Sequence, residues 1–206
     1  MTDLQADHSS GLDVEQLFLL DTGVVLLEYR EGKVDVLHFD LDDESTELLT
    51  TIESPLGSIS IGRGTSLNHD EWAYFTATSG ERTLSLHTTL WRTDGTVAGT
   101  TARTVIGLPE PYALAVTDEG VYVLGRVGQW HSLKVATASA PHAATLRDLG
   151  LQLILWPTLS VAGDHVYFAD RPISDGEGPV SEERVLWRID TTQFEVSNLF
   201  LPMVGR

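Results

Sequence analysis

The stretch Leu90–Thr100, LWRTDGTVAGT, decides how the rest of the chain is interpreted. An aliphatic residue and a tryptophan are followed by two polar positions, then by Asp-Gly-Thr and a second Gly-Thr. The carboxylate of Asp94 can accept hydrogen bonds from turn amides and Gly95 can take a positive φ, so this pair is typical of a β-hairpin. Trp91, just before the turn, would bury a large apolar area. The pattern favours a structural turn over a catalytic or metal-binding loop.

Related segments recur along the whole chain. Runs of β-branched and aromatic residues are separated by 49, 48 and 45 residues, close to the length of a propeller blade. Two further strand-like runs follow each of them and one precedes it, with turn signals such as Glu31-Gly32 between the runs. The first runs begin at Val24, Ala73, Val121 and Val166.

Each unit is therefore predicted to be four short strands, and the fold to be an all-β propeller of four four-stranded blades. Radial stacking covers both apolar faces of each unit and leaves only short edges. The alternatives are a half of an eight-bladed ring completed by a dimer, a large β-sandwich, or an open solenoid. We predict a flexible acidic tail at 1–12 and a single propeller domain at 13–206. The approximate blades are 13–53, 54–108, 109–151 and 152–206.

The opening stretch resembles the bacterial repeat family named for its Glu-Leu-Trp-x-x-Asp-Gly-Thr signature, whose members look like propeller blades. In the fourth unit Trp187 and Asp190 match, with Thr191 in place of the glycine; the first unit keeps Asp40, and the third has lost the signature. The resemblance implies a structural role for the motif residues. The residues that match in the second unit are Leu90, Trp91, Asp94, Gly95, Thr96, Gly99 and Thr100.

The charge of the chain is strongly negative, −17 from 30 acidic and 13 basic residues. This balance argues against a nucleic-acid partner and against an anionic membrane, because both repel an acidic surface. The surplus is uneven, since residues 1–53 hold 14 acids against Arg30 and Lys33. Such asymmetry predicts a partner with a basic surface for the first quarter, with a solvated face as the simpler alternative.

Chemical motifs are weak, and we predict no cofactor, no metal site and no enzyme. The chain has no cysteine. His69-Asp70-Glu71 is the densest polar triplet, but one short triplet offers too few ligands. The acidic run of Asp40, Asp42, Asp43 and Glu44 lacks the glycine and distal glutamate of an EF-hand, which favours an acidic hairpin tip.

Two tryptophans fall outside the predicted core pattern, Trp130 at a hairpin tip and Trp156 before Pro157. Exposed tryptophans can stack on sugars or anchor protein partners. Packing against a neighbouring loop is the alternative.

Three functional hypotheses follow. The first is a non-catalytic interaction or scaffold module that binds a protein partner through propeller loops and the acidic first blade. The second is a carbohydrate-binding propeller, and the third is an enzyme with a site at the channel mouth. Since the sequence shows neither a signal peptide nor an apolar run of roughly 20 residues, we expect a cytoplasmic protein, as a homodimer or a subunit of a larger assembly.

Overall fold

Sixteen β-strands make up the regular structure of the described part of the chain. The computed structural model describes residues 13–54, 58–80, 87–128, 130–138, 140–148, 158–170 and 185–199. Within these ranges no helix is long and apolar enough to cross a membrane. The strands are β1 Asp13–Leu20, β2 Gly23–Arg30, β3 Lys33–Phe39, β4 Thr46–Glu53, β5 Ile59–His69, β6 Trp72–Ser79, β7 His87–Thr93, β8 Thr101–Val105, β9 Glu110–Val116, β10 Val121–Val127, β11 Trp130–Ala136, β12 Ala144–Asp148, β13 Ser160–Ala162, β14 His165–Asp170, β15 Val185–Asp190 and β16 Glu195–Leu199.

The strands form four antiparallel sheets of four strands, each in chain order. We number them blades 1 to 4, from β1–β4 to β13–β16. This arrangement confirms the prediction of four four-stranded units. The strands of each sheet lie within one predicted blade range, and the predicted tail at 1–12 lies outside the described residues.

The repeat found in the sequence is reproduced in the strand register. In every blade, equivalent residues of the second and third strands lie opposite each other, so positions can be compared directly between blades. One set of pairs is Val24 with Phe39, Ala73 with Thr93, Val121 with Ala136, and Val166 with Ile189. The set two residues further along is Leu26 with Leu37, Phe75 with Trp91, Val123 with Lys134, and Phe168 with Trp187.

The apolar core is divided among the boundaries between successive blades. Between blades 1 and 2, Phe18, Val25 and Leu27 pack against Phe75, which is fully buried. The ring of Phe75 lies 5.9 Å from that of Phe18 and stacks on Trp91 at 6.3 Å with an interplanar angle of 11°. The alternation of strand side chains sends one face of each blade into one boundary and the other face into the next.

The same pairing recurs between blades 3 and 4. There Phe168 stacks on Trp187 at 6.0 Å, again at 11°, against a face that includes Tyr122 and Leu124. The buried residues at the boundary between blades 2 and 3 are aliphatic, with Leu90 as one of the fully buried members, and Tyr74 packs against them. Burial across the boundaries therefore holds each blade to the next one.

The Asp-Gly-Thr motif closes the hairpin between β7 and β8. Asp94 Oδ1 accepts hydrogen bonds from the Thr96 amide at 2.9 Å and from the Thr96 hydroxyl at 2.7 Å. Gly95 has a φ of 87°, which a residue with a side chain rarely adopts. A methyl group at Gly99 would overlap the carboxylate of Asp94, so the second Gly-Thr is also required by the turn.

The equivalent aspartates of two other blades act in the same way. Asp190 Oδ1 accepts from the Thr192 amide at 3.0 Å, the Thr192 hydroxyl at 2.7 Å and the Gln193 amide at 3.2 Å. In blade 1, Asp40 Oδ1 accepts from the Asp42 amide at 2.8 Å. These two copies of the motif retain the aspartate as a hydrogen-bond acceptor, although both have lost the glycine that follows it.

Removing a buried leucine should test the role of the boundary between blades 1 and 2. We expect Leu27→Ala to lower the free energy of unfolding by about 2–5 kcal/mol, because Leu27 is fully buried and truncation leaves a cavity. The matched control is Leu41→Ala, since Leu41 is 57% exposed and should cost less than about 0.5 kcal/mol. Urea unfolding measures both values, and equal losses would contradict the assigned core.

Acid unfolding should test the turn at Asp190. Hydrogen bonds from Thr192 hold the pKa of this carboxyl below its ordinary value. The stabilisation is therefore complete above the ordinary carboxyl pKa and is lost as the pH falls through the lower folded pKa. Asn at this position keeps the acceptor oxygen but does not titrate, so Asp190→Asn should lose less stability than the wild type on acidification.

The measurement is the urea midpoint of the wild type and of Asp190→Asn at neutral and at acidic pH. Asp21→Asn, at an exposed position in the β1–β2 loop, is the matched control. If Asp190→Asn loses as much stability on acidification as the wild type does, this turn contributes nothing to the loss of stability at acidic pH.

Candidate functional site: an acidic surface at one end of the blades

One end of the four blades is built from hairpin loops. In an antiparallel sheet of four strands in chain order, the loops joining strands 1–2 and 3–4 lie at the same end. Contacts across the boundaries bring these loops of successive blades together. A side chain at Gly95 of blade 2 would meet Thr22 of blade 1. Tyr122 of blade 3 lies 6.5 Å, between ring centroids, from Phe194 of blade 4. We call this end the hairpin end.

The loops of the hairpin end carry many acids and neither lysine nor arginine. Most of the acids are exposed to solvent, and all four blades contribute. Asp190, the last residue of β15, adjoins them. The loop acids are Asp21, Asp40, Asp42, Asp43, Glu44, Asp70, Glu71, Asp94, Asp118, Glu119 and Asp164.

At the opposite end of the blades, two acids among the described residues form ion pairs. Lys33 Nζ lies 2.5 Å from Glu53 Oε1, and Arg126 Nε donates to Glu110 Oε2 at 2.7 Å. These two acids are thus paired, whereas the loops of the hairpin end carry neither lysine nor arginine.

The β3–β4 loop is the most acidic part of this surface. The Asp40 amide donates to the Ser45 carbonyl at 2.9 Å, which closes the loop, and Asp43 Oδ1 accepts from the Ser45 amide at 2.8 Å. Hydrogen bonds from Ser45 lower the pKa of Asp43. Asp42 and Glu44 are exposed, so the loop presents fixed negative charge to solvent at neutral pH.

A second cluster joins the first hairpins of blades 2 and 3. His69 Nε2 lies 3.7 Å from Asp70 Oδ2 and 3.7 Å from Asp118 Oδ1. These three side chains offer ligand atoms of the kind that divalent cations bind, all within 4.8 Å of one another. The side chains of Asp70 and Asp118 are 77% and 90% exposed, so the cluster is open to solvent.

A cleft of about 170 Å³ lies below this cluster, between blades 2 and 3. Arg92 and Arg103 line it from the strands of blade 2, while Asp118 and Glu119 line it from the first hairpin of blade 3. The guanidinium of Arg92 lies 3.9 Å from the centre of the Trp72 ring. The cleft therefore carries both signs of charge, with the acids on its loop side.

The backbone of Trp130, one of the two tryptophans singled out in the sequence, lies away from the acidic surface. Trp130 begins β11 and pairs with Val127 across the β10–β11 turn, which belongs to the opposite end of the blade. Trp156 lies outside the described residues. Trp91 and Trp187 belong to the boundaries between blades, where they pack against other aromatic rings.

Sequence reasoning assigned the negative surface to the first blade and missed the contribution of the others. The missed residues lie in first hairpins of later blades, such as Asp118 and Asp164, whereas Asp70 was noted only as part of a polar triplet. The signal that could have found them is their position in the repeat, because each follows the first strand of its unit. A count of charge along the chain cannot show this, since it mixes the two ends of every blade.

No protein-family model and no curated protein matches the sequence. Solved structures do show similarity. An oligogalacturonate lyase in complex with manganese is 13% identical with a TM-score of 0.53, over 91% of this chain and 53% of that chain. A structure from an analysis of two prolyl endopeptidases is 12% identical with a TM-score of 0.52, over 91% of this chain and 27% of that one. TolB from Acinetobacter baumannii is 13% identical with a TM-score of 0.47, over 86% of this chain and 40% of that one.

The chain thus spans about half, or less, of the length of these proteins. At such identities the likeness concerns the fold alone. Together with the four sheets in chain order, it shows that this chain has the β-propeller fold.

Proposed function

We propose that this protein is a non-catalytic interaction module whose hairpin end binds a protein partner with a basic surface. The observation that carries the proposal is the composition of the hairpin loops, which contain acids from every blade and neither lysine nor arginine. The sequence pointed to the first blade for this role, and the fold extends the surface to the other three.

The geometry suits electrostatic recognition. The exposed carboxylates lie at one end of the four sheets. Their combined negative field attracts a cationic partner and speeds its association. The loop from Asp40 to Ser45 is closed by backbone and side-chain hydrogen bonds, so its charges are already positioned before binding. Pre-positioned groups lose less entropy when a partner binds.

The similar solved structures include enzymes, but their identities of 12% and 13% do not carry an activity to this chain. Propellers host many functions on one architecture, so the function has to be argued from the surface. Here the surface feature that stands out is charge at one end.

Binding of a short lysine- and arginine-rich peptide tests the location of the binding surface. We expect the triple variant Asp42→Asn, Asp70→Asn, Asp118→Asn to weaken binding about tenfold, because one exposed charge is lost from each of three blades. The matched control is Glu31→Gln, Glu53→Gln, Glu110→Gln, which changes the net charge equally at the opposite end and should stay within about twofold of the wild type.

Fluorescence anisotropy over a range of salt concentrations gives both affinities. The wild-type affinity should fall as the ionic strength rises, and the hairpin-end variant should show a smaller dependence on salt. Equal weakening in the two triple variants, or an affinity insensitive to salt, would count against the hairpin end as the binding surface.

Affinity capture from the native host extends the test to a natural partner. The proposal expects a protein that is retained by the wild type and by the opposite-end control but is lost with the hairpin-end variant. Retention by all three proteins would point to a surface other than the hairpin end.

A further inference from the structure

In blades 2, 3 and 4 one face lies against the preceding blade, and equivalent residues form this face in each of them. On the second strand of each blade, they are the first and third residues of the repeated segment. On the third strand, they are the residues that pair with these two. In blades 2, 3 and 4 the second-strand residues are at most 6% exposed. These residues are Ala73 and Phe75, Val121 and Val123, and Val166 and Phe168.

In blade 1 the same face is less covered, and the equivalent residues Val24 and Leu26 are only half-buried. Leu17 and Leu19 of β1 are 61% and 63% exposed, and Leu48 of β4 is 52% exposed. We call this surface the open face of blade 1. The members of the open face are Leu17, Leu19, Val24, Leu26, Leu37, Phe39 and Leu48.

The strand register lines up the leucines of the open face across all four strands. Leu17 pairs with Leu26, Leu26 with Leu37, and Leu37 with Leu48. The row occupies the position that Phe75 and Trp91 fill in blade 2, where it packs against another blade. A continuous apolar row of this kind on a sheet face marks an interaction surface.

We propose that the open face of blade 1 packs against blade 4 of a second copy of this chain, so that two copies complete one ring of eight blades. Blade 4 offers the matching face, because Tyr167, Leu186 and Arg188 occupy positions that in blades 1 to 3 cover the next blade. All three are only half-buried. A two-fold axis that coincides with the central axis of the ring relates the two copies, so blade 1 contacts blade 4 in the same way at two places.

Charge supports this pairing of faces. Arg188 is equivalent to His38 of blade 1, and a side chain at Gly95 of blade 2 would lie 3.4 Å from His38 Nε2. The blade 1 residue equivalent to Gly95 is Leu41, in the acidic β3–β4 loop. Stacking blade 4 of one copy on blade 1 of the other therefore brings the Arg188 guanidinium beside the carboxylates that flank Leu41.

At the boundary between blades 2 and 3, an arginine also lies near the residue of the next blade that is equivalent to Gly95. Arg92 is the blade 2 equivalent of Arg188, and Ala138 is the blade 3 equivalent of Gly95. Both residues line one cleft.

The area is that of a stable dimer. Four strands spaced about 4.8 Å apart and about six residues long, at about 3.3 Å per residue, give a face of about 400 Å². Two contacts involve four such faces, or about 1,600 Å², which is the usual size of a specific interface. One contact alone would be near the size of crystal packing, which favours the closed pair.

The mass in solution tests the proposal. Sedimentation equilibrium should give twice the 22.5 kDa of the chain. The variant Leu17→Glu, Leu19→Glu should be a monomer, and it should fold because both positions are already exposed. Val127→Glu, at a 44% exposed position of blade 3, is the control and should stay dimeric. A monomeric wild type, or a dimer that survives the change at Leu17 and Leu19, would overturn the proposal.

A charge exchange distinguishes the pairing of blade 1 with blade 4 from a contact between two open faces. Arg188→Glu alone should be monomeric, as should Asp42→Arg alone, because each places like charges across both contacts. An equimolar mixture should recover the dimer, since both contacts then join opposite charges. A dimer that is disrupted at Leu17 and Leu19 but is indifferent to Arg188 would refute the pairing with blade 4.

This outcome is separable from the proposed function. The Leu17→Glu, Leu19→Glu variant keeps every acid of the hairpin end, so its mass tests the open face alone, and either proposal can fail without the other.

Discussion

Contact between the flat faces of successive blades is the interaction on which the rest of the structure depends. A four-stranded sheet with apolar residues on both faces cannot be stable in water unless both faces are covered. The stacked pairs Phe75–Trp91 and Phe168–Trp187 show what the contact contributes. Burying one large aromatic side chain contributes about 3 kcal/mol. That is a large fraction of the net stability of a typical domain, about 5–15 kcal/mol.

Blade 3 lacks the aromatic pair and is held by other means. The equivalent positions are Val123 and Lys134, and Lys134 cannot be buried as a tryptophan can. Hydrogen bonds across the boundary accompany this change. The Val105 amide of blade 2 donates to the Pro141 carbonyl of blade 3 at 3.1 Å, and the Ala143 amide donates back to the Val105 carbonyl at 3.0 Å. Blade 3 has thus lost the motif and instead forms backbone hydrogen bonds with blade 2.

The sequence predicted the strands and the blades because both depend on local signals that the repeat supplies several times. The aspartate of the motif was predictable for the same reason, since an acceptor beside a glycine is a local property. Proximity across a boundary was not predictable. His69 and Asp118 lie far apart in the chain, and their distance of 3.7 Å follows from how two blades stack. The resemblance of Leu90–Thr100 to a named repeat family stays a prediction.

Turn chemistry accounts for some of the acids at the hairpin end but not for all of them. Asp94 accepts hydrogen bonds within its own loop, and Asp70 has a φ of 52°, which aspartate tolerates better than most residues. Glu71 and Glu119 are exposed, and glutamate is not a residue that turns favour. Unbalanced charge at one end also destabilises the compact state through self-repulsion. These glutamates contribute nothing to the turns and add to the self-repulsion, so the proposed binding of a basic partner depends on them most directly.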